Sequence, residues 1–94
     1  MDRPQATGTQ QVKNDRVIVT EWQFPPGGET GWHKHGHDYV VVPGRDGVLL
    51  IEDANGETRV ELAAGQSYFR RAGVEHNVVN GNDFPFSFVE VEVI

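Results

Sequence analysis

Turn-forming clusters punctuate this chain about every ten residues, and that rhythm limits its fold more than any other feature. They read "PPGG" at 25–28, "PGRDG" at 43–47, "DANGE" at 53–57, "AAGQ" at 63–66, "RAGVE" at 71–75 and "NGND" at 80–83. Between them lie short runs rich in β-branched and aromatic residues: "VIVTEWQF", "DYVVV", "GVLLIE", "TRVEL", "SYF", "HNVV" and "FSFVEVEVI". No stretch of helical length carries an apolar stripe at 3.6-residue spacing. The expectation is an all-β fold, a single small antiparallel β-barrel or sandwich. With 94 residues the chain suits one domain. We place it at 15–94, behind a polar segment, 1–14, that reads as a flexible arm or an added edge strand.

Two local signals refine this. Asn55–Gly56 resembles the centre of a two-residue hairpin turn, where both positions take φ > 0. In the last run Phe84, Phe86 and Phe88 alternate, then Val89, Val91 and Val93 take over, so the apolar parity flips. A bulge near Phe88–Val89, or a strand covered on both faces, would account for it. Glu90 and Glu92 read as exposed acids protecting a sheet edge. Trp22, Phe24, Phe69, Phe84, Phe86 and Phe88 are expected in the core.

The histidines are concentrated. His33, His35 and His37 lie within "TGWHKHGHDYVVV", and the fourth is His76 in "RRAGVEHNVVN". Side chains alternate along a strand, so His33 and His35 face the same way, roughly 6.5–7 Å apart along it. Both rings could lean onto one metal ion, with His76 supplying a third nitrogen from a neighbouring run. Three neutral imidazoles leave open positions for water, substrate or O₂. The plainer reading of His-x-His alone is two surface histidines on one strand face. Trp32 has the opposite parity and is expected outside the pocket.

Charge excludes some functions. The net charge is −6, and the Lys and Arg residues are scattered, with only Arg70 and Arg71 adjacent. Nucleic acid and anionic membrane binding both call for a basic stripe, which this sequence lacks. No apolar run is long enough to span a bilayer. The start, "MDRPQATGTQ", lacks an apolar leader core, and a cytoplasmic location is expected. Cysteine is absent, so any metal site must use His, carboxylate, Tyr or water.

The segment "GQSYFRRAGVEHNVVN" closely resembles the second motif of the cupin family: G, five residues, P, one residue, G, two residues, H, three residues, N. Gly65, Gly73, His76 and Asn80 match it, and Arg71 stands where the motif has proline. The first cupin motif is G, five residues, H-x-H, three or four residues, E, six residues, G. Gly27, His33, His35 and Gly47 fit it. More narrowly, the two segments look like the small single-domain cupins of the β-alanine degradation group. The resemblance covers residues 16–94. It implies a jelly-roll barrel holding a divalent transition metal (Fe, Ni, Mn or Zn) on His33, His35 and His76.

One departure stands out. The family's acidic fourth ligand falls at Val40, or at Tyr39 under the shorter spacing. The site is therefore either three histidines alone or one completed by Tyr39, His37 or, through a bulge at Gly36, Asp38. Tyr39 is also the candidate catalytic group near substrate. Arg70 and Arg71 could meet an anionic small-molecule ligand, since guanidinium binds carboxylate bidentately, or could be solvated strand-end charges. Glu75 could be an outer partner of a ligand or an exposed turn residue. The implied functions are a metal-dependent small-molecule enzyme similar to the non-haem dioxygenases, or a non-catalytic metal- and ligand-binding module. A homodimer is expected, as in many small cupins, through the two-faced last strand.

Overall fold

The structure is a computed structural model that describes residues 3–94. Among the described residues nine strands run in chain order: β1 Thr7–Lys13, β2 Val17–Phe24, β3 His33–Lys34, β4 Asp38–Pro43, β5 Gly47–Asp53, β6 Gly56–Leu62, β7 Tyr68–Arg70, β8 Glu75–Asn80 and β9 Phe86–Val93. The described residues contain no helix. All strand ladders are antiparallel. They form a five-stranded sheet, β1-β2-β9-β4-β7, and a four-stranded sheet, β3-β8-β5-β6. Each sheet turns one face toward a shared interior, giving an all-β jelly roll.

The alternating pattern sets which residues fill it. Phe24, Tyr39, Val41, Phe86 and Phe88 from the large sheet meet Leu49 and Val78 from the small one. Phe24 and Phe88 rings sit 5.5 Å apart, tilted at 38°. Trp22 and Phe84 pack against this core from partly buried positions. Phe69 does not join it. It points outward from β7 and is 52% exposed, because its parity follows Val40 rather than Tyr39.

The last strand has no bulge. β9 pairs residue for residue with β2 from Val17↔Val93 to Phe24↔Phe86, and with β4 from Asp38↔Val93 to Pro43↔Phe88. The apolar parity flips because both faces carry apolar residues. Phe86 and Phe88 point inward, while Val89 and Val91 point outward. Glu90 shares the inward parity and is only 7% exposed. Since β9 lies mid-sheet, its acids protect no edge.

The hairpin between β5 and β6 is set one residue earlier than expected. Asp53 pairs with Gly56, which leaves Ala54–Asn55 in the turn. Asn55 keeps a negative φ, and Gly56 alone takes a positive one, 115°. The Asp53 carboxylate accepts the Asn55 N–H at 2.8 Å and holds the turn.

Candidate metal centre

The histidine segment is not one continuous strand. β3 ends at Lys34 in the small sheet, the chain bends at Gly36–His37, and β4 begins at Asp38 in the large sheet. This bend lets neighbouring residues approach the interior from two sheets. His33 pairs with His76 across β3 and β8, which puts both imidazoles on one face. His35 follows β3 and is fixed by two backbone bonds: its N–H donates to Val74 O at 2.9 Å, and its carbonyl accepts from Gly73 N–H at 2.8 Å.

The three rings converge. His33 Nε2 and His35 Nε2 are 3.0 Å apart, and His35 Nε2 and His76 Nε2 are 3.2 Å apart. Nitrogens coordinated at about 2.1 Å to one ion, at 90° to tetrahedral angles, sit roughly 3.0–3.4 Å from each other. His33 Nδ1 donates to Gly31 O at 2.9 Å, so its Nε2 is a bare lone pair. Lone pairs aimed together at such range repel unless a cation or proton lies between them. The donor set therefore fits a metal ion, and His33, His35 and His76 could hold one.

The electrostatics agree. Burial first, then His33 and His76, pushes His35 down to about 4. Burial first, then His33 and Arg70, pushes His76 down to about 4, with Asp53 opposing. Both are neutral at physiological pH, the form that binds metal.

The candidate fourth ligands separate clearly. The Asp38 side chain faces the outside and accepts the Ala72 N–H at 2.8 Å. His37 sits in the bend and does not belong to the clustered nitrogens. Tyr39 is 2% exposed and stacks on His35, with centroids 3.9 Å apart and planes at 20°. Burial raises its hydroxyl above the usual tyrosine range, so it remains a neutral donor. Glu75 is exposed opposite Lys34, away from the histidines. Trp32 points out of the site and is 60% exposed.

A cavity of about 220 Å³ opens beside His35 and His76. Apolar side chains such as Leu49, Val78 and Phe88 form its walls, and Tyr39, Arg70 and Glu90 contribute polar groups. The Arg70 guanidinium lies over the Tyr68 ring at 4.8 Å from the centroid. Burial, with Glu92 adding to it and Trp22 opposing, pushes Glu90 up to about 7. Glu90 and Glu92 also form a second group with His35 that could hold a metal ion. Glu90 was hidden in sequence by its acidic neighbour Glu92; its parity with Phe86 and Phe88 was the available signal.

Relatives support the site's family. Residues 20–92 match the Cupin_2 family, described as a cupin domain. The chain is 60% identical over 91 residues to the β-alanine degradation protein BauB of Pseudomonas aeruginosa, covering 97% of this chain and 96% of that one. A crystal structure of a cupin domain from Bordetella pertussis superposes with a TM-score of 0.98 at 56% identity, covering 100% of this chain and 98% of the other. The polyketide cyclase RemF of Streptomyces resistomycificus shares the fold, with a TM-score of 0.74 at 21% identity over 99% of this chain and 70% of its own. With both motifs, the jelly roll and these matches in agreement, the chain belongs to the cupin family.

Proposed function

We propose that this cupin is a metal-dependent enzyme that acts on a small carboxylate-bearing molecule, in the manner of a non-haem dioxygenase. The convergence of three Nε2 atoms, two of them from histidines that line a cavity with largely apolar walls, carries the reading. A transition metal held by His33, His35 and His76 would supply Lewis-acid or O₂ chemistry. Iron, nickel, manganese and zinc all suit such a donor set.

The protein's own groups have distinct tasks in this reading. Arg70 anchors the ligand carboxylate at the cavity mouth. Tyr39 donates a hydrogen bond toward the reacting end and keeps His35 in place by stacking. Glu90 holds or accepts a proton at a carboxylate oxygen, which its environment suits near neutral pH. Leu49, Val78 and Phe88 exclude water. The name of the 60% identical relative links that protein to β-alanine degradation and favours a small carboxylic metabolite here.

The test joins elemental analysis to a turnover screen. Protein purified without an affinity-metal column should carry about one metal per chain, lost in His33→Ala and His76→Ala. Turnover of small carboxylates, screened with and without oxygen, should vanish in the same variants. A wild type that binds no metal after reconstitution would refute the reading. Metal and ligand binding without turnover would favour the second reading, a non-catalytic binding module. That reading draws on the missing acidic ligand, whose place in the motif falls at Val40, or at Tyr39 under the shorter spacing.

A homodimer belongs to the proposal. Val12, Val19, Val91, Val40 and Phe69 form a row across all five strands of the large sheet, on its outer face. Such a row suits packing against a second copy. A cytoplasmic location completes the reading, and cell fractionation tests it.

A further inference from the structure

Resting on the reading of His33 as a metal ligand, we propose that Arg3 and Asn77 are positioning residues for the metal centre, acting through the loop that fixes the His33 ring. The chain of contacts is continuous from the segment before β1 to the imidazole.

It starts at the ring. His33 Nδ1 donates to Gly31 O at 2.9 Å, which fixes the tautomer and aims Nε2 at His35. Thr30 Oγ1 stands 3.3 Å from the same Nδ1. Gly31 has a φ of 86°, a conformation open to glycine, so its carbonyl direction depends on what holds the loop. Asn77 holds it: its Oδ1 accepts the Gly31 N–H at 2.9 Å. Asn77 follows His76 on β8, so its side chain leaves the opposite face, where it is 2% exposed.

Only one orientation of the Asn77 amide satisfies its surroundings. Its Nδ2 donates to Glu29 Oε1 and to Glu52 Oε1, both at 2.8 Å. Flipped, the amide oxygen would face two carboxylates and its N–H groups would face the Gly31 N–H. The two carboxylates thus lock the amide, but they would repel each other if left alone. Arg3 holds them together: Nη1 donates to Glu29 at 3.1 Å and to Glu52 at 3.0 Å, and Nη2 to the other Glu52 oxygen at 3.0 Å. Asn77 first and Arg3 second lower the Glu29 pKa; Arg3 first and Asn77 second lower that of Glu52.

The segment carrying Arg3 is itself tied to the loop. Glu29 N–H donates to Pro4 O at 2.9 Å, Ala6 N–H donates to Glu29 O at 2.8 Å, and Gln5 Nε2 donates to Thr30 O at 2.9 Å. Residues 3–6 are therefore part of the scaffold of the metal centre, remote from it in sequence but linked through Glu29, Asn77 and Gly31.

The experiment uses full-length Arg3→Ala, Arg3→Lys, Asn77→Ala and Asn77→Asp, with Arg59→Ala on the exposed face of β6 as a control. Two readouts are taken: cobalt(II) affinity and visible spectrum, and the His33 tautomer in metal-free protein by ¹⁵N NMR. Asn77→Ala should weaken cobalt binding roughly 10–100-fold and mix the His33 tautomers. Arg3→Ala should act in the same direction more weakly, Arg3→Lys should recover part of the loss, and Arg59→Ala should match the parent. Arg3 is exposed, so its variants carry the test if Asn77→Ala fails to fold. Unchanged affinity and an unchanged tautomer in folded Arg3→Ala and Asn77→Asp would overturn the proposal. If the parent binds no cobalt, the metal reading fails; the tautomer measurement still decides whether Arg3 and Asn77 position the ring.

Discussion

Tyr39 lies nearly face to face with His35, their ring centroids 3.9 Å apart and their planes at 20°. The phenol thus braces a candidate ligand and lines the cavity beside it. Tyr39→Phe keeps the stack and removes the hydroxyl. Metal content should persist, and turnover, once a substrate is found, should drop. Tyr39→Ala should instead destabilise the fold by about 3–5 kcal/mol, the range for deleting a buried aromatic ring. Urea denaturation beside metal analysis separates the two effects. Equal metal loss in both variants would mean that the hydroxyl, rather than the stack, holds the site.

The histidines make metal-free protein sensitive to acid. His35 and His76 titrate near 4 when folded, against about 6.5 when unfolded. Between those values the unfolded chain binds more protons, so stability rises with pH across the interval. This contribution is complete above about 6.5 and is lost as pH falls toward 4. Urea midpoints of metal-free protein should decrease from pH 7 to pH 5, and His35→Gln/His76→Gln should weaken that dependence. An identical slope in the double variant would refute the assignment.

Glu90 works in the opposite sense. Its folded value of about 7 lies above its ordinary 4.5. In that window the folded chain binds more protons, so Glu90 lowers stability as pH rises. Glu90→Gln should be more stable than the parent at pH 8, with a gain that shrinks at pH 5. Thermal midpoints at the two pH values provide the check. A variant less stable than the parent at pH 8 would show that the ionised carboxylate is needed by the fold.

The row of apolar residues on the outer sheet face predicts association. Phe69 is 52% exposed and neighbours Val40 across the strands. Sedimentation should give a dimer for the parent, and Phe69→Asp/Val91→Asp should shift it to monomer. A parent that stays monomeric at high protein concentration would remove the homodimer from the proposal.

Much of this architecture is legible in the sequence because strand alternation and turn chemistry act locally. The runs around Val17, Gly47 and Glu75 announced themselves as strands, and the fixed spacing of His33, His35 and His76 announced a family. What stayed hidden depends on pairing across long separations. Glu90 reads as an exposed edge acid in the sequence, and only the place of β9 between β2 and β4 turns it inward. Phe69 looked like core because aromatics usually are, but a short edge strand gives each residue one face only. Asn77 and Arg3 carry no motif at all. Their meeting depends on a short bridge between Gln5 and Glu29, which no local pattern encodes.

The placement of β9 also orders assembly. It comes after every other strand, yet it supplies the middle of the large sheet. Until it docks, β2 and β4 have no common partner, and their inner edges stay unpaired. The small sheet has no such dependence: β3, β5, β6 and β8 all precede β9, so His33 and His76 can meet while the other half of the barrel is unformed. Folding in that order would bring two candidate ligand nitrogens together before the strand bearing Glu90 closes over them.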